Sequence, residues 1–425
     1  MRFGSSGIRS RYGRELVSTS LLLGHILGEK FKEIIVGRDT RTTSRIIENA
    51  FIAGVLSGGS SLRTAGLVPT PAVASSITQG GSGCMITASH NPEEYNGLKI
   101  FNHGGSSLFK TQQKEIEELL VAAGKPADHH ASQKSPGRVT SPGILDTYIQ
   151  KITARFPSER MGRMILDCGN GAGSVASPAI LREMGADIRC INCTPSGFFT
   201  RPSEPLEQNL GYLPPLITAW KASGAVVHDG DADRMMAFDS RGRYITGDQM
   251  LILFCRYLDA QRVVTTTDAS MAIDEWAEVR RTPVGDSYVS EALAGWGDFG
   301  GEPSGAWIFP RQSLCPDGPY AAALFCQMAS EWDIAAELDR IPVYPIRRRS
   351  LPCSCAHEVM HSLGAASPTD GIRISRDEGW YLVRASGTEP KIRITAEGRT
   401  PAATDALLDE GTRAVREWKS KITHQ

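Results

Sequence analysis

The chain has 425 residues, more than one hydrophobic core accommodates and enough for three or four domains. Its 46 Lys and Arg against 47 Asp and Glu leave a formal net charge of −1, so no strong positive field favours nucleic acid, and a hydrophobic share of 41% is that of an ordinary globular chain. Nine mostly scattered cysteines suit a reducing compartment, and an N-terminus opening on Met1-Arg2-Phe3-Gly4 carries no secretory signal.

The N-terminal loop Phe3-Gly4-Ser5-Ser6-Gly7-Ile8-Arg9 leads to Leu21-Leu22-Leu23, which falls in an amphipathic helix far too short to span a membrane. A strand is expected over 34–37, followed by Arg38-Asp39-Thr40-Arg41 and a helix over 44–56. Arg38, just past that strand, is a candidate for a phosphate pocket or else a member of a structural ion pair. The apolar run Gly83-Cys84-Met85-Ile86 reads as a strand, Thr87-Ala88-Ser89-His90 follows it, and Asn91-Pro92 forces a turn. A serine at such a tip is expected to be exposed, with His90 and Lys99 near enough to stabilise a phosphoryl group on it. The alternatives are a Ser-Asn turn holding its own backbone or a Ser/His/Asp hydrolase, whose G-x-S-x-G elbow is absent, and Lys99, as a bare lysine after a glycine turn, would read as a solvated side chain.

Residues 124–142, rich in Pro, Ser, Gly and His, read as a linker closing a first domain, with a helix over 144–155 bridging to a second. The strand 164–168 runs into Asp167-Cys168-Gly169-Asn170-Gly171-Ala172-Gly173 and a helix over 174–184. G-x-G-x-G spacing without a following lysine makes this a strand-to-helix turn rather than a nucleotide loop. Cys190-x-x-Cys193 and Cys353-x-Cys355 each lack the second pair that a zinc site needs.

A third apolar run, 225–229, ends in Asp229-Gly230-Asp231-Ala232-Asp233-Arg234. Three alternating carboxylates at a strand end suit one hard divalent cation such as Mg²⁺, and Arg234 is placed to clamp a phosphate or orient an aspartate. A calcium-binding EF-hand requires Gly and Glu where this loop has Arg234 and Ser240. Beyond Gly242 to Gly247 a helix starts at Asp248. A third unit runs through Val284-Gly285-Asp286-Ser287 to Gly301-Glu302, and Ile341-Pro342-Val343-Tyr344-Pro345 opens a last, smaller α+β unit. The domains are thus expected at 1–143, 144–243, 244–342 and 343–425, the first three built on mixed sheets covered by helices.

With Ser89 in T-A-S-H-N-P, D-G-D-A-D-R at 229–234, G-E-P-S-G at 301–305 and R-A-S-G-T-E-P at 384–390, the chain resembles the α-D-phosphohexomutase superfamily over its whole length, the four motifs falling in the family's order. The resemblance implies a heart-shaped protein of four domains, three related α/β domains and a smaller C-terminal α+β domain, with one loop from each meeting in a central cleft. It makes Ser89 the phosphoserine, with Asp229, Asp231 and Asp233 holding Mg²⁺ against its phosphate. Glu302 and Ser304 would contact sugar hydroxyls, and Arg384, Ser386, Gly387, Thr388 and Arg393 would grip the substrate's phosphate. Phe3 to Arg9 is similar to the family's N-terminal motif, with Ser5 and Ser10 as departures, and would bring Arg9 close to the phosphoserine. Lys99 matches the family's general acid/base lysine.

Moving a phosphoryl group between two hydroxyls of one sugar requires an enzyme-held phosphoryl group, a sugar bisphosphate intermediate and two phosphate sites. Ser89 with its metal can supply the transferring site, and the loop at 384–390 an anion cradle for the other. The expected activity is therefore interconversion of 6-phospho and 1-phospho sugars, with a sugar 1,6-bisphosphate as activator, in a cytoplasmic monomer or homodimer without nucleic-acid or membrane partners. The continuation Ser304-Gly305-Ala306-Trp307 looks like archaeal members of the superfamily that act on glucosamine phosphates, where many bacterial relatives place His after the Gly, and Ser287 stands where several relatives carry a basic residue. Glucosamine phosphate is favoured, then glucose or mannose phosphates, with pentose phosphates also open. A metal-dependent phosphatase and a silent sugar-phosphate sensor are the readings from other classes. The phosphatase would not need the third and fourth loops, and the sensor would not need to keep Ser89 and all three aspartates.

Overall fold

The computed structural model describes residues 3–4, 7–123, 137–157, 161–365, 371–386 and 390–423, with side chains through residue 418. The first sheet holds β1 (Ile8–Arg11), β2 (Glu33–Arg38), β3 (Ser61–Leu67), β4 (Ser82–Ile86), β5 (Tyr95–Phe101) and β6 (Val139–Thr140), in the spatial order β1-β5-β4-β2-β3-β6. Strands β4, β2, β3 and β6 run parallel, while β5 and β1 are antiparallel additions. Helices α1 (Arg14–Lys30), α2 (Ser44–Ser57), α3 (Thr70–Ala74) and α4 (Lys110–Ala123) accompany it. The backbones of α1 and α2 touch: a Cβ on Gly54 would stand 2.1 Å from the Leu21 carbonyl oxygen, so only glycine permits this crossing. The segment read as a closing linker contributes strand β6, bonded to β3, because residues 139–140 find an open sheet edge beside Leu62 and Arg63. Residues 124–136 of that segment lie outside the described residues.

The second sheet has the order β11-β10-β9-β7-β8, from β7 (Arg163–Asp167), β8 (Asp187–Ile191), β9 (Gly224–His228), β10 (Met235–Asp239) and β11 (Tyr244–Ile245). With it go α5 (Ile144–Thr153), α6 (Ser177–Glu183) and α7 (Leu213–Trp220). The helix expected from residue 174 starts later because a 3₁₀ turn over Ala172–Val175 intervenes. The third sheet, β13-β12-β14-β15, is made of β12 (Arg262–Thr266), β13 (Glu278–Thr282), β14 (Phe299–Glu302) and β15 (Ala306–Ile308). It carries α8 (Gly247–Tyr257), α9 (Asp286–Gly295), α10 (Gly318–Glu331) and α11 (Ile334–Leu338). Thr246 caps α8 in a reciprocal box with Gln249, which sets the start of that helix. The last sheet is wholly antiparallel, β16-β19-β18-β17, from β16 (Ile346–Pro352), β17 (Ile372–Arg376), β18 (Gly379–Ala385) and β19 (Lys391–Gly398), with α12 (Ala356–Ser362) and α13 (Pro401–Thr423).

One apolar cluster runs from Ile35 and Val73 through Met164, Leu166 and Val226 to Phe254, Phe299 and Trp307, so the first three units share a continuous core. The fourth has its own, built on Val359, Tyr381, Ile394 and Leu408. It also meets the third unit through polar contacts: Ser270 Oγ and Met271 N donate to Glu397 at 2.6 and 2.7 Å, and Arg373 Nη1 donates to the carbonyls of Thr267 and Ala269. No helix among the described residues is long and apolar enough to cross a membrane.

Candidate active site

Parallel strands β2 and β4 lie side by side inside the first sheet, and the C-terminal end of β4 delivers Ser89, where open α/β sheets place their ligands. Ser89 has φ +52°, a left-handed conformation that a non-glycine residue keeps only when its surroundings over-determine it. They do so here through one buried cation. Arg41 donates from Nη2 to the carbonyls of Ser89 and Asn91, at 2.8 and 2.7 Å, and from Nη1 to those of Pro92 and Tyr95, at 2.6 and 2.9 Å. Asp39 holds Arg41 Nε at 3.1 Å and takes the hydroxyls of Thr87 and Ser44, both at 2.7 Å, while Thr87 Oγ1 accepts from Ser89 N. Burial pushes the Asp39 carboxyl up, and Arg41 offsets only part of that.

The second sheet brings the acidic loop to the same point. Asp229, Asp231 and Asp233 follow β9 and offer one carboxylate oxygen each within 4.8 Å of one another. Ser89 Oγ donates to Asp229 Oδ2 at 2.9 Å. Lys99 on β5 reaches Asp231 Oδ2 at 2.7 Å and Asp233 Oδ2 at 2.5 Å, and Thr70, opening α3, donates its hydroxyl to Asp231 Oδ2 at 2.6 Å. Asp231 Oδ1 and Asp233 Oδ1 are buried with no partner, and bare carboxylate oxygens turned into a cluster of three acids are what a hard divalent cation satisfies. Burial and then the Asp231 and Asp233 charges push Asp229 well above the usual carboxylate range, and burial followed by Asp231 raises Asp233. Burial alone would lower the Lys99 pKa, but Asp231 and Asp233 outweigh it and hold the ammonium. Burial also acts to raise Asp231, and Lys99 with Thr70 brings it below its ordinary value.

The glycine run after β7 supports this loop. Ala172 N donates to the Gly230 carbonyl at 2.8 Å, and a Cβ on Gly171 would stand 2.5 Å from the same oxygen. Ser203 Oγ donates to the Ser89 carbonyl at 3.1 Å, so the second unit closes over the serine loop. Ser89 is consequently 1% exposed, against the expectation of an exposed tip.

Above these groups lies a cavity of about 230 Å³, bordered by Arg9, Ser89, His90, Arg234, Glu302 and Ser304 among others. Glu302 ends β14 and accepts from Gly285 N at 2.8 Å; burial first, then Asp286, pushes its carboxyl up to about 7. Arg234 pairs with Glu204 at 3.3 Å, and Arg9 Nη1 donates to Asn91 Oδ1 at 3.3 Å. Burial, then Arg234, Arg9 and Lys99, lower His90 to about 3, so its imidazole is neutral here and can act through a hydrogen bond but not as a cation.

In the fourth sheet Arg384 and Arg393 sit directly opposite each other on β18 and β19, and Ser386 Oγ is buried without a partner. Like charges facing across a ladder repel unless an anion bridges them. Neither arginine nor Ser386 borders the 230 Å³ cavity, whose walls come from the first three units. Gly387, Thr388 and Ser5 lie outside the described residues.

Family patterns described as phosphoglucomutase/phosphomannomutase alpha/beta/alpha domains I, II and III match residues 1–126, 146–242 and 246–341, and the corresponding C-terminal domain matches residues 352–414. The chain belongs to the phosphoglucomutase/phosphomannomutase family. It is 40% identical to a probable phosphoglucosamine mutase of Methanocella arvoryzae, over 97% of this chain and 98% of that protein. With a phosphoglucosamine mutase of Methanocaldococcus jannaschii it shares 35% identity, over 99% of each. Among solved structures, a phosphoglucomutase/phosphomannomutase family protein of Burkholderia thailandensis has a TM-score of 0.84 at 22% identity, covering 98% of this chain and 97% of its own. The N-acetylphosphoglucosamine mutase of Aspergillus fumigatus in complex with GlcNAc-6P and magnesium has a TM-score of 0.61 at 16% identity, covering 99% and 96%. These neighbours bear on the fold: this phosphohexomutase has the four-domain α/β architecture of its family.

Of the residues singled out in the sequence, Arg9, Ser89, His90, Asp233, Arg234, Glu302 and Ser304 border the cavity, and Asp229, Asp231 and Lys99 stand in contact around Ser89 and the acidic loop. Arg38, read as either a phosphate-pocket residue or a structural ion pair, donates from Nε to Glu48 Oε2 on α2 at 3.0 Å and is not among the residues bordering the cavity. Arg41, three residues on, holds the serine loop. Sequence reasoning passed over Arg41 and Thr70. Both sit at the ends of strand-following turns beside motif residues, which was the available signal, but their partners lie as far as 54 and 161 positions away.

Proposed function

We propose that this phosphohexomutase interconverts glucosamine 6-phosphate and glucosamine 1-phosphate through a phosphoserine at Ser89 and a glucosamine 1,6-bisphosphate. The observation that carries the reading is Ser89 Oγ at 2.9 Å from Asp229, inside an acidic cluster with orphaned buried oxygens and at the floor of a cavity walled by Glu302 and Ser304. In the first half-reaction the Ser89 Oγ–P bond breaks and a bond forms from phosphorus to a sugar hydroxyl, which gives up its proton while the freed Ser89 Oγ takes one up. In the second, the Ser89 hydroxyl gives up that proton as it takes the other phosphoryl group from the turned bisphosphate, and the freed sugar alkoxide takes one up. Asp229, Asp231 and Asp233 would hold Mg²⁺, which supplies charge neutralisation at the phosphoryl oxygens when bound. Arg41 and Thr87 keep Ser89 aimed at the cavity. Lys99, held as an ammonium, can give a proton to a leaving alkoxide. Arg384, Ser386 and Arg393, with Gly387 and Thr388 beside them, would hold the phosphate that is not being transferred, and Glu302 and Ser304 the sugar hydroxyls.

The choice of glucosamine is supported by the names of the archaeal relatives, which match this chain end to end. We place the enzyme in the cytoplasm, supported by nine cysteines outside any disulfide, and propose a monomer or homodimer with a sugar 1,6-bisphosphate as activator. A coupled assay across the 6-phosphates of glucosamine, glucose and mannose and the 5-phosphate of ribose, primed with sugar bisphosphate, tests it. Glucosamine 6-phosphate should have the highest kcat/KM, and intact mass should show one phosphoryl group that Ser89→Ala removes. Full activity of the Ser89→Ala protein would refute the mechanism.

A further inference from the structure

The wall of the cavity contributed by the third sheet is acidic. Asp268 lies just past β12, Asp286 opens α9 beyond β13, and Glu302 ends β14; these three strands are neighbours in the sheet, and all three carboxylates border the cavity. Glu302 is 8% exposed, and its carboxylate accepts from Gly285 N. Asp268 is exposed and takes the hydroxyl of Thr266 at 2.6 Å, and Asp286 is half-buried, its charge felt by the Lys99 ammonium that Asp231 and Asp233 hold. Arg234, which borders the cavity from the second unit, pairs with Glu204 and interacts with Asp229 and Asp233 ahead of Glu302. Burial first, then Asp286 and more weakly Asp268, raise the Glu302 carboxyl to about 7, with Arg234 offsetting part.

A divalent cation is not what this wall lacks. Among the described residues Asp229, Asp231 and Asp233 are the one group whose ligand atoms converge within 4.8 Å, and Asp268, Asp286 and Glu302 are too spread to do so. A phosphate would meet like charge there, and a neutral hydroxyl would leave the mutual repulsion in place. An ammonium on the sugar ring, with three N–H donors to share among spaced carboxylates, relieves it.

Resting on the mutase reading above, we propose that Asp286 and Asp268, flanking Glu302, form an ammonium-recognising wall that selects 2-amino-2-deoxyhexose phosphates over their 2-hydroxy and 2-acetamido counterparts. The amino sugar is a cation at neutral pH, and its two competitors are not. The two carboxylates add discrimination through charge to the hydroxyl contacts of Glu302 and Ser304.

The test compares kcat/KM of the phosphorylated, Mg²⁺-loaded enzyme for glucosamine 6-phosphate, glucose 6-phosphate and N-acetylglucosamine 6-phosphate, in wild type, Asp286→Asn and Asp268→Asn. Each asparagine keeps the shape and removes the charge, and the ratio of glucosamine to glucose should fall roughly tenfold or more, the worth of one charge-assisted contact. In wild type that ratio should also decline as pH rises through the pKa of the sugar amine, and in the doubly substituted enzyme it should be flat. A wild type active on hexose phosphates whose ratios both variants leave within about twofold overturns the ammonium wall and spares the mutase reading. A wild type inactive on all three sugars takes both down.

Discussion

Thr70→Val isolates a contact between the first and second units. The Thr70 hydroxyl donates to Asp231 Oδ2 at 2.6 Å, both residues are fully buried, and the Thr70 N–H donates separately to the Asp231 carbonyl at 2.9 Å. With Thr70 and Lys99 both on Oδ2, the other oxygen, Oδ1, is the one left bare in the acidic cluster. Valine keeps the shape and the backbone bond and deletes one of the two side-chain donors. A hydrogen bond to an ionised group is worth about 1.5–3 kcal/mol, and removing an outer support of a ligating carboxylate costs roughly 10–100-fold in metal affinity. Titration calorimetry with Mg²⁺, or Mn²⁺ followed by paramagnetic resonance, should show a loss in that range. The KM for sugar phosphate measured at saturating metal should change far less, and Thr70→Ser should restore binding. A Thr70→Val protein that is folded and binds metal within about twofold of wild type would refute the argument that Thr70 orients Asp231.

Arg41→Lys should lower kcat at least tenfold and reduce thermal stability, because one ammonium cannot serve four carbonyls at once and Asp39 stays buried; a steady-state assay and calorimetry check it. Glu302, raised to about 7, is protonated on the acid side of that value, so kcat/KM should fall as pH drops through about 7 and Glu302→Gln should remove this limb. Its contribution to stability has the opposite sense, full below the ordinary glutamate pKa of 4.5 and lost as pH rises through about 7, so pH-dependent melting should flatten in Glu302→Gln. Ser386→Ala should weaken all sugar phosphates by a similar factor, whereas Glu302→Gln should change their ranking. Solution scattering with and without a sugar bisphosphate should show compaction, since Arg384, Ser386 and Arg393 stand outside the cavity they are proposed to complete.

Much of the site is legible in local sequence, because a strand end followed by Thr-Ala-Ser-His-Asn-Pro or by alternating aspartates needs only short-range turn chemistry to present those atoms. The same local reading left Arg38 open between a phosphate pocket and an ion pair. Whether the first or the second arginine of Arg38-Asp39-Thr40-Arg41 faces the serine loop depends on α2 bringing Glu48 against one of them, which is a packing outcome. Residues 139–140 read as linker because nothing local marks an edge strand; their partner in β3 is about 77 positions away.

The chain by itself therefore determines the residue types and their order: a serine at a strand end, three alternating carboxylates, and the loops proposed to hold sugar and anion. Only the tertiary structure decides their ionic states and their aim. Lys99 meets Asp231 and Asp233 across 132 and 134 positions, and burial removes the water that would otherwise screen them, so the same side chains that would be solvated in an open chain become a held ammonium, orphaned carboxylate oxygens and a neutral His90.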